Sequence, residues 1–228
     1  MHNTIITADD FGIGKRANEK ILELAELGKL QRVGIMVHGI MTSDEMRRLI
    51  ETKVSLDVHL DILHQFGDER HKRTGKLFSR VLDFFTKLFK GKVTTRSTYT
   101  DWKNQIELFR KIVGKNPDGI NSHEHIHFFP TLFTAALKLR EEYQIEFIRL
   151  GKHTYPRIHT PVSMILSSMR MIDIKRLKES NATSTDYLLS IDWIKDLESF
   201  RKNRVSGTTE IVCHPELKAD FDAVMQLA

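Results

Sequence analysis

Apolar and polar positions alternate along the chain in a pattern that predicts short strands and amphipathic helices in turn. Apolar, β-branched runs at 4–8, 54–58 and 209–213 are typical of buried parallel strands. Between such runs, apolar residues recur every three or four positions, as the buried face of a helix requires. Further strands are predicted at 33–37, 119–122, 145–150 and 187–190. The alternation predicts an α/β protein built on a parallel sheet.

The predicted helices carry start and stop signals. Thr42 and Glu45 form a capping-box pattern for a helix that runs to about Ile50, with Met46, Leu49 and Ile50 facing inward. Gly28 and Gly114 follow apolar stripes and are placed to end helices. The remaining helices are predicted at 15–27, 102–113, 130–143 and 193–204. The pattern is irregular at 61–100 and weakest at 151–181.

This order of elements predicts a distorted or incomplete (β/α) TIM-like barrel. No internal repeat, low-complexity segment or linker interrupts it, so we expect residues 1–228 to form a single domain. The long segment after the strand that ends at His59 is where a barrel places a substrate wall.

Composition narrows the class of protein. With 40% hydrophobic and 29% charged residues the chain is expected to fold. No apolar run approaches the ~20 residues that cross a bilayer, so we expect no membrane association. Cys213 is the only cysteine and the first residues do not resemble an export signal, which favours the cytoplasm.

The net charge of +5 raises the question of nucleic acid as a partner. The basic residues are spread over predicted helix faces. The densest basic stretch, 71–96, contains apolar residues near helical spacing, which predicts an amphipathic helix. No recognised binding motif accompanies the charge, so we expect no nucleic-acid partner.

Acids and histidines stand where the predicted strands end. Asp9 and Asp10 close the first run, His59 closes the third strand, and His123 and His214 follow two later ones. The carboxyl ends of parallel strands meet on one face of a sheet or barrel, where active sites lie. Carboxylates and imidazoles from four distant segments could therefore surround one metal ion.

Each of these aspartates and histidines also has an ordinary structural interpretation. The two aspartates could cap the next helix, and His59 could be a core histidine. His123, His125 and His127 share one side only if their segment stays extended. His214 could simply pair with a carboxylate.

Taken together, four motifs resemble one family. They are Ile-Thr-Ala-Asp-Asp-Phe-Gly at 6–12, Val-His-Leu at 58–60, Asn-Ser-His-Glu-His-Ile-His-Phe-Phe-Pro at 121–130 and Val-Cys-His-Pro at 212–215. The family is the YdjC-like carbohydrate deacetylases, of which chitooligosaccharide deacetylase is the best-known activity. The resemblance implies a barrel-like fold and metal-dependent removal of acetyl groups from N-acetylated sugars.

The resemblance also implies a role for each matching residue. Asp10, His59 and His123 would bind the metal ion, Asp9 would be the base that activates water, and His214 would be the proton donor. Arg149 is similar to a family position that orients the base, although an ordinary surface arginine is the alternative. The chain departs from the family pattern at Asp61 and in 151–181, which the resemblance implies surround the substrate rather than the metal.

The donor set does not decide the metal. Two histidines and one aspartate suit Zn²⁺, whereas Mg²⁺ would keep several waters. The expected partner is a small N-acetylated sugar, with a homodimer left open. Two alternatives remain, namely another metal-dependent barrel hydrolase or isomerase that acts on a sugar, and a non-catalytic carbohydrate-binding relative.

Overall fold

Strands and helices alternate through the computed structural model, which describes residues 2–62, 93–156, 158 and 160–227. The amphipathic helix expected within 71–96 lies almost wholly outside these residues. The strands are β1 (His2–Phe11), β2 (Arg32–Ile35), β3 (Ser55–Leu60), β4 (Gly119–Ser122), β5 (Phe147–Ile148), β6 (Tyr187–Ser190) and β7 (Gly207–Cys213). The helices are α1 (Lys15–Glu26), α2 (Ser43–Glu51), α3 (Thr95–Val113), α4 (Pro130–Glu142), α5 (Pro161–Glu179), α6 (Leu197–Lys202) and α7 (Lys218–Leu227).

The seven strands pair in parallel in the order β5-β4-β3-β2-β1-β7-β6. Single bridges join Phe147 to Thr183 and His153 to Tyr187, so the region around β5 meets the chain that leads into β6. The sheet therefore curls into a distorted (β/α) barrel, as the sequence predicts. All seven strands direct their carboxyl ends to the same rim.

Local sequence explains where the helices begin and end. Thr42 and Glu45 form the predicted capping box, and Gly114 ends α3 with a φ of 84°, in the left-handed region. Leu49 and Met46 are buried as expected, but Ile50 is 41% exposed and its predicted inward position is wrong. It lies beside Leu49 in the sequence, at the edge of the buried face of α2.

The predicted bounds differ from the observed ones at several elements, and α3 begins at Thr95 rather than at Trp102. The strand expected at 145–150 contains only Phe147 and Ile148 as β5, and the helix expected at 193–204 is a 3₁₀ turn (Ile191–Trp193) followed by the short α6. The unclear segment 151–181 contains α5. None of the described helices is both long and apolar enough to cross a bilayer.

Candidate metal centre

An irregularity in β1 brings two adjacent carboxylates to one place. The β1–β2 register shifts between Ala8 and Phe11, and Asp10 has a φ of 69°. Such a bulge turns the strand, so neighbouring side chains need not point to opposite faces. Asp9 Oδ1 lies 3.8 Å from His59 Nδ1, and Asp10 Oδ1 lies 3.1 Å from His59 Nε2. Both carboxylates thus face the same imidazole.

Asp10, His59 and His123 converge from three strands. Asp10 Oδ1 lies 2.8 Å from His123 Nδ1, and the ring centres of His59 and His123 are 5.7 Å apart. One donor atom from each of the three residues lies within 4.8 Å of the others. The predicted convergence of the two histidines is therefore confirmed, and the three side chains form a candidate site for a divalent ion.

The surroundings of His59 fit a metal ligand. Its Nε2 atom is buried, faces Asp10 and makes no hydrogen bond. A Cβ at Gly34 would come within 3.1 Å of His59 Nδ1 and 3.0 Å of Asp9 Oδ1. A glycine in β2 therefore leaves the space that these side chains occupy. A buried ring nitrogen with an available lone pair, beside a carboxylate, is the chemistry that cation binding uses.

A polar chain beneath His59 fixes its ring. Asn121 pairs with His59 across β3 and β4, and its Oδ1 atom lies 2.6 Å from His59 Nδ1. Asn121 Nδ2 donates to Asp57 Oδ2 at 3.3 Å, and Arg32 Nε donates to the same oxygen at 2.9 Å. Sequence reasoning gave Asp57 and Asn121 no role in the site, although a polar residue at a buried strand position is a visible signal.

Arg149 is a buried partner of Asp9, not a surface arginine. It follows β5, is 0% exposed, and its Nη1 and Nη2 atoms donate to Asp9 at 2.6 and 2.9 Å. Its Nε atom donates to Glu210 Oε1 at 2.9 Å. The same Glu210 oxygen also accepts a hydrogen bond from the Thr7 hydroxyl. Such a two-point contact fixes the orientation of the Asp9 carboxylate.

The electrostatics favour positive charge beside Asp10. Burial opposes ionisation of Asp9 and Asp10, yet Arg149 keeps the pKa of Asp9 below its usual range and His123 does the same for the pKa of Asp10. Burial also opposes charge on His123, but the Asp10 carboxylate prevails and raises the pKa of His123 to about 9. In the metal-free protein, protonated His123 therefore places a positive charge beside Asp10, where a bound cation would also be stabilised.

His214 reaches the same centre from the end of β7. Its Nε2 atom lies 3.8 Å from Asp10 Oδ2, and its Nδ1 atom lies 3.9 Å from Asp220 Oδ2. The same Asp220 oxygen accepts a hydrogen bond from the His214 backbone N–H at 2.8 Å. Asp220, at the start of α7, thus holds the chain at His214; the sequence alone did not indicate it.

The three histidines after β4 do not share one side. Glu124 and His125 both have φ values of 53°, so the segment His123–Phe128 consists of short 3₁₀ turns joined by a left-handed kink and is not an extended chain. His127 Nε2 donates to the Arg149 carbonyl at 2.7 Å, and its Nδ1 atom is bonded to the Ser122 hydroxyl. Burial lowers the pKa of His127 to about 3. Both its ring nitrogens are committed, so His127 is structural.

The sequence is similar to those of proteins named carbohydrate deacetylase. The chain is 26% identical over 153 residues to a Mus musculus protein named carbohydrate deacetylase, covering 64% of this chain and 49% of that protein. A Clostridium beijerinckii protein of the same name is 24% identical over 218 residues, covering 92% of this chain and 80% of that one. The chain spans about half the length of its mouse and human relatives (49% and 47%).

The fold is also found among solved structures. One of them is an Enterococcus faecalis V583 protein named for cellobiose-phosphate cleavage, with a TM-score of 0.63, 20% identity, and coverage of 99% of this chain and 87% of that chain. The model of the family described as YdjC-like protein matches residues 3–226. That match includes every strand end described above, and the chain belongs to the YdjC-like protein family.

Proposed function

We propose that this protein is a metal-dependent carbohydrate deacetylase that hydrolyses the acetamido group of N-acetylated sugars, such as acetylated chitooligosaccharides. The observation that carries the proposal is the convergence of Asp10, His59 and His123 beside an Asp9 carboxylate held by Arg149. The names of the mouse and clostridial relatives support the same class of substrate.

Asp10, His59 and His123 would hold the cation. One carboxylate and two imidazoles suit Zn²⁺, and Mg²⁺ is the alternative that would retain more waters. When bound, a divalent ion supplies Lewis acidity to water and to the acetyl carbonyl. The buried Nε2 of His59 and the raised pKa of His123 support this assignment, because both mark a place where positive charge is stabilised.

Asp9 would accept a proton from the attacking water. The bidentate Arg149 contact keeps Asp9 ionised and fixes its orientation, so a carboxylate oxygen is ready when the water's proton leaves. Arg149 is itself tied to Glu210, so its guanidinium cannot swing away from Asp9 without breaking a second buried contact. Arg149 acts in this scheme as a positioning residue.

His214 would donate the proton that the leaving amine needs. Hydrolysis adds the water oxygen to the acetyl carbon, breaks the carbon–nitrogen bond, and requires a proton on the sugar nitrogen. The side chain of His214 is 27% exposed, so it can contact both substrate and solvent. It approaches Asp10 from β7, which lies on the other side of β1 from the strands that lead to His59 and His123. Asp220 holds the position of its backbone.

Acetate release from N-acetylglucosamine oligomers, measured with added Zn²⁺ or Mg²⁺ and with a chelator, tests the proposal. We expect wild-type turnover that the chelator removes. Asp9→Asn should keep the metal but lose about 10²–10⁴-fold in kcat, because an amide cannot accept the proton. Asp10→Asn should instead weaken metal binding. Asp44→Asn, which changes an exposed acid on α2, is the matched control.

The outcomes separate the alternatives. Metal binding without acetate release from any N-acetylated mono- or oligosaccharide would favour a different barrel hydrolase or isomerase, or a carbohydrate-binding relative. Near-wild-type turnover in Asp9→Asn that retains its metal would contradict the role of Asp9. Loss of metal from Asp9→Asn, with metal retained by Asp10→Asn, would exchange the two roles.

A further inference from the structure

Arg170, in the middle of α5, is a buried cation without an acidic partner in the described parts of the chain. It is 7% exposed. Its Nη2 atom donates to the Thr154 hydroxyl at 2.5 Å and to the Ser167 hydroxyl at 3.2 Å. Burial lowers the pKa of its guanidinium, and no nearby carboxylate offsets that effect. Hydroxyl oxygens accept its hydrogen bonds but carry no full negative charge.

Arg149 is the other buried arginine in the described parts of the chain, and it contacts both Asp9 and Glu210. Removing a guanidinium from water is costly unless an opposite charge compensates it. Arg170 is therefore the exception that calls for a counter-charge from outside the described chain.

A small cavity adjoins Arg170. Its volume is about 20 Å³, and its lining includes Arg170 and the hydroxyl-bearing side chains of Thr154, Tyr155, Ser163 and Ser167. Its apolar lining includes Phe128 and Leu189. This space suits one water-sized species, whereas a sulfate, phosphate or carboxylate group would need the walls to move.

We propose that this cavity, the Arg170 pocket, binds a monovalent anion of about the size of chloride. One guanidinium contributes a single positive charge, which one such ion neutralises. The Ser167 hydroxyl accepts from Thr154 and Arg170, so its own hydrogen can turn toward the ion. The apolar part of the lining strengthens the attraction because it lowers the local dielectric constant. The proposal concerns a site apart from Asp10, His59 and His123, and it does not depend on the deacetylase activity.

A bound ion would contact several separate elements of the barrel. The pocket lies between α5, Thr154 in the chain after β5, Leu189 in β6, and Phe128 at the end of the kinked segment that begins with His123. An ion there would hold α5 against these three elements. Anion binding should therefore stabilise the folded protein, because a ligand that binds only the folded state shifts the unfolding equilibrium.

Bromide provides a direct probe, because it replaces chloride and scatters anomalously. We expect crystals of the wild-type protein grown in sodium bromide to show an anomalous peak within about 3.5 Å of the Arg170 guanidinium, the reach of a hydrogen bond to a halide. A pocket that holds only water under these conditions would overturn the proposal.

Thermal unfolding tests the site in solution. Sodium chloride is exchanged for sodium gluconate at constant ionic strength, since gluconate is too large for the pocket. The wild-type Tm should rise saturably by about 2–4 °C with chloride. Arg170→Met should lose this rise, whereas Lys175→Met, which removes an exposed charge from the same helix, should keep it.

Each combination of results decides the proposal. A bromide peak with a chloride effect that Arg170→Met lacks supports it. A peak without any chloride effect on the wild-type Tm means binding at crystal concentration only and overturns it, as does an equal chloride effect in Arg170→Met. If Arg170→Met does not fold, the wild-type bromide peak and chloride titration decide together.

Discussion

The Oδ1 atom of Asn121 lies 2.6 Å from the Nδ1 atom of His59, and this contact selects one tautomer of the imidazole. Asn121 Nδ2 donates to Asp57, so the amide must present its oxygen to His59. His59 therefore carries its proton on Nδ1 and keeps the lone pair of Nε2 facing Asp10. That is the tautomer which can bind a cation through Nε2.

Asn121→Ala should weaken metal binding about 10–100-fold without abolishing it, because the ligands remain but His59 loses its fixed tautomer and ring orientation. Calorimetric titration of the metal-free protein with Zn²⁺ measures the change. Asn116→Ala is the matched control, because its amide donates to the Tyr143 carbonyl away from the site. Equal affinities in wild type and Asn121→Ala would remove the positioning role.

His123 should matter for metal binding, and His127 should matter for the stability of the fold. His123→Ala should lose most metal binding because it removes a ring nitrogen 2.8 Å from Asp10. His127→Gln should keep the metal but lower the Tm, because His127 joins Ser122 to the Arg149 carbonyl in the interior.

Metal content by elemental analysis, together with thermal unfolding in chelator, distinguishes these two histidines. We expect His123→Ala to lose the metal and His127→Gln to keep it with a lower Tm, so each variant serves as the control for the other. Full metal occupancy in His123→Ala, or loss of metal from a folded His127→Gln, would show that the assignment of the ligands is wrong.

Metal binding should release a proton at neutral pH. In the metal-free protein the pKa of His123 is about 9, so its ring is protonated at pH 7.5 and must lose that proton to become a ligand. Titrations in buffers of different ionisation enthalpy should give close to one proton released per ion at pH 7.5 and almost none near pH 10.

The same pKa gives a linked stability effect in chelator. The pKa of His123 is raised from 6.5 to about 9, so the Asp10–His123 pair stabilises the folded state fully below pH 6.5 and is lost as the pH rises through 9. The Tm difference between wild type and His123→Asn should shrink over that interval. A difference that stays constant from pH 6 to 10 would contradict the raised pKa.

The positions of the ligands could be predicted because they depend only on where the parallel strands end, and apolar runs in the sequence mark those ends. Asp10, His59 and His123 stand at or beside the ends of apolar runs, and parallel strands bring such ends together. The bulge that turns Asp10 toward the side of Asp9 is not visible in the local sequence, since its φ of 69° depends on how β1 and β2 pair.

Partners that come from distant segments could not be predicted in the same way. Arg149 could equally have been an exposed arginine, because nothing near it in sequence shows that Asp9 and Glu210 lie within reach. The extended arrangement expected for His123, His125 and His127 failed because the left-handed residues Glu124 and His125 turn the chain. Both outcomes depend on tertiary contacts rather than on local periodicity.

Asp173, in α5, should make stability depend on pH in the opposite sense to a paired carboxylate. Its side chain is fully buried, Oδ2 makes no hydrogen bond, and Arg176 Nη1 is 3.4 Å from Oδ1. Burial outweighs Arg176 and raises the pKa of Asp173 from 3.8 to about 7. The folded protein thus keeps a proton on this carboxyl where the unfolded chain has already lost it.

Stability should therefore fall as the pH rises from about 4 to 7 and level off above, as far as Asp173 contributes. Asp173→Asn replaces the acid by a neutral group of similar size, so its Tm should exceed that of the wild type by an amount that is small near pH 4.5 and largest near pH 8. Asp44→Asn, at a largely exposed position on α2, should show no such trend. Thermal unfolding of the three proteins across this pH range, in chelator, checks the prediction. A gain in Asp173→Asn that is equal at pH 4.5 and pH 8 would mean that the carboxyl is not held neutral by burial, and a lower Tm at pH 8 would mean that its charge stabilises α5.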